Sequence, residues 1–246
     1  MSAGALERPP GTTPVRRRFL IVNADDFGRS PGINRGVLEA YDHGILTSAS
    51  LMTLWPASVA AAQAAEARPG LGVGLHVDLG EWIFRNGAWS CTYLRTPLGD
   101  RDAVESEVAR QLRAFRRLLG RDPTHLDSHQ HVHLTEPVTA VLLALAAELG
   151  IPLRHRSQEV RYCGAFFGQT GRGERRQHAV GVDALLRTLE LLEPGITELG
   201  CHPGYATDLA TAYRRERELE VRTLCDPRIR AAVAEQGLAL RSFASR

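Results

Sequence analysis

Carboxylates and imidazoles concentrate in four short segments of the chain: Asp25-Asp26, His76 with Asp78, the run from His125 to His133, and His202-Pro203-Gly204. Both side-chain types ligate divalent cations and move protons near neutral pH. Between His125 and His133 the titratable residues recur at every second position. In extended backbone that spacing puts them on one face and Leu126 and Val132 on the other. So many ionisable groups on one buried face are too costly without compensating charge, so the run predicts a metal ion beside a solvated pocket. Adjacent carboxylates such as Asp25-Asp26 can divide two tasks, one binding the cation and the other taking a proton from water. The same pair also fits an N-cap or Asx-turn ahead of a helix. His76 interrupts an otherwise apolar strand and reads as a ligand or as a packed histidine. His202 is thrown to a rim by the Pro203-Gly204 turn. One Asp and two His converging from three strand ends would form a facial set with open positions for water and substrate, which is a hydrolytic metal site. His43, His155 and His178 stand apart and read as ordinary core or surface residues.

These groups can meet only if the fold brings them to one end. Apolar, β-prone runs predict strands at 19–22, 48–54, 71–77, 124–128, 151–155, 197–201 and 238–242. Helical periodicity intervenes at 33–43, 56–67, 102–119, 137–149, 182–192 and 211–236, the last in two pieces around Asp226-Pro227. Strands alternating with helices predict an α/β fold, a single-domain irregular (β/α) barrel with about seven parallel strands, with an open doubly wound sheet as the alternative. In either, the site forms at the C-terminal strand ends, where all four segments fall. Residues 1–18 read as a flexible tail and 19–246 as the barrel domain. Residues 160–179 read as one long loop, whose Arg161, Arg172, Arg175 and Arg176 either face solvent or meet an anionic group on a substrate. The apolar stripe Val104, Val108, Leu112, Phe115 and Leu119 on the third helix reads as core packing.

The 246 residues are 43% hydrophobic and 24% charged, which fits one globular domain and excludes a disordered chain. A formal charge of +2 gives no nucleic-acid footprint. All basic residues are arginine, so Schiff-base chemistry and a P-loop lysine are excluded. The first strand is followed by no Gly-x-Gly-x-x-Gly turn, which removes the main support for dinucleotide binding. Cys91, Cys163, Cys201 and Cys225 form no C-x-x-C pair, so no zinc knuckle is expected and a reduced, cytoplasmic protein is. No apolar window is long enough for a membrane span.

Taken in order, Asn23-Ala24-Asp25-Asp26-Phe27-Gly28, Gly74-Leu75-His76, the stretch from Thr124 through His133, and Cys201-His202-Pro203-Gly204 make the sequence resemble the YdjC-like carbohydrate deacetylases, distant relatives of the polysaccharide deacetylases. The resemblance implies an irregular (β/α) barrel that removes acetyl groups from N-acetylated amino sugars or metabolites containing them. It implies one divalent cation, Zn²⁺ or Mg²⁺, on Asp26, His76 and His129, with Asp25 as base, and it makes a homodimer plausible. On that reading water on the cation attacks the acetamide carbonyl, Asp25 takes its proton, and His202 protonates the departing amine, with His131 in reserve and Asp127 holding a histidine tautomer. Two other readings are a metal-dependent phosphoesterase on a similar barrel and a non-catalytic sugar-binding module.

Overall fold

The computed structural model describes residues 17–245. The expected tail lies outside them except at its end, where Arg18 already opens the first strand, its backbone paired on both sides. Strand β1 (Arg18–Phe27) carries the run Leu20-Ile21-Val22, fully buried because both faces of the strand are covered. It is central in a curled parallel sheet whose order is β6 (Leu126–Ser128), β3 (Gly72–Val77), β2 (Ser48–Leu51), β1, β8 (Gly195–Cys201) and β7 (Val160–Cys163). A seventh strand, β9 (Leu238–Leu240), pairs with the start of β1, on the stretch that β2 leaves free.

Among the described residues seven parallel strands are present, though not all where the sequence puts them. Residues 151–155 contribute only one bridge, Leu153 to Leu126, because Pro152 has no N–H to donate and His155 turns the chain with a left-handed φ of 63°. The strand beside β8 is instead β7, from the stretch read as a loop. The antiparallel hairpin of β4 (Gly80–Arg85) and β5 (Ala88–Leu94) is also additional. Its turn, Asn86-Gly87, has both φ angles positive (52° and 79°), the mirror-image turn that matches strand twist.

Among the described residues seven helices accompany the sheet: α1 (Pro31–His43), α2 (Ser58–Glu66), α3 (Arg101–Leu119), α4 (Val138–Leu149), α5 (Val182–Glu190), α6 (Arg214–Leu224) and α7 (Pro227–Glu235). Ser30 caps α1 by accepting the Ile33 N–H, and Asp100 and Asp226 do the same for α3 and α7. The stripe on α3 is buried in the main apolar core, as core packing requires. Each of its large side chains contributes roughly 1.5–3 kcal/mol by leaving water. The concave side of the sheet is different. Asn23, Asp25, Ser50, His76, His125, Asp127 and Glu198 are buried there, where a barrel of aliphatic layers would place branched hydrocarbons. Among the described residues no helix is long and apolar enough to cross a membrane.

Candidate active site

Asp25 and Asp26 would point to opposite faces of a regular strand. They do not, because the β1–β2 register slips between Ala24 and Phe27 and Asp26 adopts a left-handed φ of 65°. The resulting bulge aims both carboxylates into the same pocket. Asp25 receives two bonds from Arg154, Nη1 to Oδ2 and Nη2 to Oδ1, each 2.7 Å. Asp26 Oδ2 pairs with Arg217, and Asp26 Oδ1 faces His129 Nδ1 at 3.1 Å and His76 Nε2 at 3.5 Å. Burial alone would raise both carboxyls, but Arg154 holds Asp25 below the usual range, and Arg217 with the two imidazoles holds Asp26 well below it.

His76, on β3, is in register with Asp127 on β6, and its Nδ1 lies 2.8 Å from Asp127 Oδ1. Burial opposes the imidazolium, yet Asp127 and Asp25 raise it to about 10. The run 125–133 is extended only to Ser128. It then tightens into a 3₁₀ turn in which Gln130 and His131 are left-handed, so the alternation expected from the sequence is broken. His125 is buried deeper on the same side, in contact with Ser50 Oγ at 3.0 Å and stacked on Phe243, and burial lowers it to about 3. It packs so close to Gly74 that a Cβ there would lie 2.4 Å from its Nε2. His133 is buried against Ser128 Oγ at 2.7 Å. His131 lies outside the trio, against His133, His155 and Tyr162, its Nδ1 without a partner.

Arg154 is the residue that sequence reasoning missed most plainly. It is 4% exposed and bonds to Asp25, to Asp127 at 2.7 Å and to Glu198 at 2.9 and 2.7 Å, tying β1, β6 and β8 together. Its segment was read as a strand, and an arginine in such a run is itself a signal, since a buried guanidinium requires carboxylates. Burial, with Asp127 and Asp25 beside it, keeps Glu198 raised to about 7 despite Arg154.

His202 follows β8 and stands 3.6 Å from Asp25 Oδ2. Burial lowers it to about 4, and its Nδ1 has no partner. Phe167 and Tyr213 flank the ring at centroid distances of 5.3 and 5.7 Å. Glu220 holds the His202 backbone N–H and accepts the Tyr213 hydroxyl at 2.6 Å, and burial raises it to about 8. Asp78 does not reach the pocket: Trp55, Tyr93 and Arg95 engage it at 2.8–2.9 Å. Of the loop arginines, Arg161 is spent on Glu193 and on the carbonyls of residues 193 and 194, and Arg175 lies 3.7 Å from Glu216.

Two groups of side chains have ligand atoms mutually within 4.8 Å: Asp26 with His76 and His129, and Asp25 with His76 and Asp127. The second is already satisfied by Arg154 and by the His76–Asp127 contact. In the first, Asp26 Oδ1 and His76 Nε2 are buried and close no regular hydrogen bond, although His129 Nδ1 stands 3.1 Å from the carboxylate oxygen. A cation would satisfy both atoms, displacing the Nε2 proton of His76, and one carboxylate with two imidazoles suits Zn²⁺ and its neighbours.

The chain is similar to known proteins. The chain is 34% identical to a chitooligosaccharide deacetylase from Serratia marcescens, over 92% of this chain and 98% of that protein. Its fold is that of a protein from Enterococcus faecalis V583 assigned to cellobiose-phosphate cleavage, with TM-score 0.76, 24% identity, and 93% and 98% of the two chains covered. It is also that of a family 4 carbohydrate esterase from Streptomyces lividans, with TM-score 0.56, 15% identity, and 92% and 91% covered. The sequence profile of the YdjC-like proteins matches residues 19–235. By that match and by its likeness to the Serratia enzyme, the chain belongs to the YdjC-like family.

Proposed function

We propose that the protein is a metal-dependent hydrolase that removes the acetyl group from an N-acetylated amino sugar, with Asp26, His76 and His129 holding one divalent cation. The observation that carries this reading is the buried convergence of Asp26 Oδ1, His76 Nε2 and His129 Nδ1, the first two closing no regular hydrogen bond, beside the Asp25–His202 pair. A cation there supplies Lewis acidity, polarising the acetyl carbonyl and acidifying water. Asp25 is the base: Arg154 fixes both its oxygens and keeps it ionised, so it is oriented and ready to accept a proton. His202 is neutral in the free protein, so it acts as a donor only after receiving a proton, which Asp25 can pass across 3.6 Å before the amine departs. Phe167 and Tyr213 pack on the ring while its Nε2 faces Asp25. His131 stays in reserve: it packs on Tyr162, outside the metal trio, within electrostatic reach of Asp25.

The deacetylase named in Serratia supports an acetylated chitooligosaccharide as the first substrate to try. Acetate release from diacetylchitobiose, measured with and without EDTA, tests the reading. Turnover that stops with chelator and returns with Zn²⁺ is expected, and release unchanged in EDTA would overturn it. A two-metal phosphoesterase would need more free carboxylates than the pocket offers, since Asp25, Asp127 and Glu198 all bind Arg154 and Asp78 anchors the hairpin.

A further inference from the structure

His129 turns its second nitrogen toward groups the proposed reaction does not use. Its Nε2 lies 3.6 Å from Glu81 Oε1 and 3.5 Å from Arg29 Nη1. Glu81 sits at the base of the β4–β5 hairpin, and Arg29 Nη2 donates to both its oxygens, at 2.8 and 2.7 Å. Arg29 is buried and its guanidinium lies 5.2 Å over the Trp55 ring, so the carboxylate is pinned where it stands.

An imidazole that gives Nδ1 to a cation must carry its proton on Nε2, and that N–H needs an acceptor. A guanidinium only donates. Glu81 is the acceptor placed beside Nε2 among the described residues. His76 shows the mirror arrangement, with Nε2 toward Asp26 and Nδ1 against Asp127. We infer that Glu81 is a positioning residue for His129, doing for it what Asp127 does for His76, and that through Glu81 the hairpin is coupled to the bound cation. This rests on the metal reading of the trio given above. The hairpin has supports that bypass this link: Tyr93 bonds to Asp78, and the Gln130 amide exchanges two 2.8 Å bonds with the Trp82 backbone. Trp82 and Trp89 both lie on it, so its state is visible in tryptophan emission.

Zn²⁺ titration of the full chain by calorimetry, with tryptophan emission followed in parallel, tests the coupling in the wild type, Glu81→Ala, Glu81→Gln and Tyr93→Phe. Glu81→Ala should weaken Zn²⁺ binding by about 10–100-fold and lose the emission change. Glu81→Gln, whose carbonyl still accepts the Nε2 proton, should keep most of the affinity. Tyr93→Phe loosens the hairpin without touching His129 and should bind Zn²⁺ like the wild type. A wild type that binds no Zn²⁺ sinks the metal reading itself. A wild type that binds, with Glu81→Ala binding equally well, overturns the role of Glu81 and leaves the trio intact. If Glu81→Ala does not fold, the tautomer of His129 in the Zn²⁺-loaded wild type decides by ¹⁵N-correlated NMR: protonation at Nε2 is expected, and at Nδ1 would refute it.

Discussion

At the scale of single residues, the proposed reading gives neighbouring side chains separate tasks, Asp26 to hold the ion and Asp25 to move the proton. Asp26→Ala removes the carboxylate oxygen that both imidazoles face, so Zn²⁺ binding and turnover should vanish together, as calorimetry and acetate assay would show. Asp25→Asn keeps the shape and should retain the ion while lowering kcat by roughly 10²–10⁴-fold; near wild-type turnover would remove Asp25 as base. Arg154→Met should cost about 3–5 kcal/mol in urea denaturation, because three buried carboxylates lose their common partner. The candidate ligands were legible as types at strand ends, since ionisable groups in apolar strands demand an explanation. Their partners were not: Arg154 and Arg217 stand far from the motifs in sequence, and although Glu81 and Glu198 lie close to them, nothing local marks which buried charge each will meet.

At the scale of elements, the close contact between α1 and the turn after β8 locates His202. A Cβ on Gly36 would lie 2.5 Å from the Gly204 Cα, a backbone atom that cannot swing aside. Gly36→Ala should therefore push the turn away, costing roughly 1–3 kcal/mol in thermal denaturation and lowering kcat more than Zn²⁺ affinity. β1, β3 and the two-part helix around Asp226-Pro227 were legible because their periodicity and caps are local. β7 was not, because Val160-Arg161-Tyr162-Cys163 has one fully buried apolar side chain and is a strand only by pairing with β8. The β4–β5 hairpin did leave signals, in Asn86-Gly87, the dipeptide that best fits its turn, and in the alternation of Trp89, Cys91 and Tyr93 with Ser90 and Thr92, but β4 itself carries no alternation.

At the scale of the molecule, a cation that binds only the folded chain stabilises it by about 2.7 kcal/mol at a hundred times its Kd, so melting temperature should rise with Zn²⁺ and fall back with EDTA. Glu220 gives a pH dependence of opposite origin. Its folded-state value, raised by burial from 4.5 to about 8, makes the fold bind its proton more tightly than the unfolded chain. Its contribution is complete below pH 4.5 and is lost as pH rises toward 8, so urea midpoints should decline across that window and decline less in Glu220→Gln. Finally, β1 is the central strand, yet the first of its residues pair with β9, close to the C-terminal end of the described chain. During synthesis the earliest strand must therefore wait for almost the last before its edge is covered. A nascent chain stalled on the ribosome before Leu238 is made should expose that edge to chaperones, and emergence of Leu238–Leu240 should let it be covered.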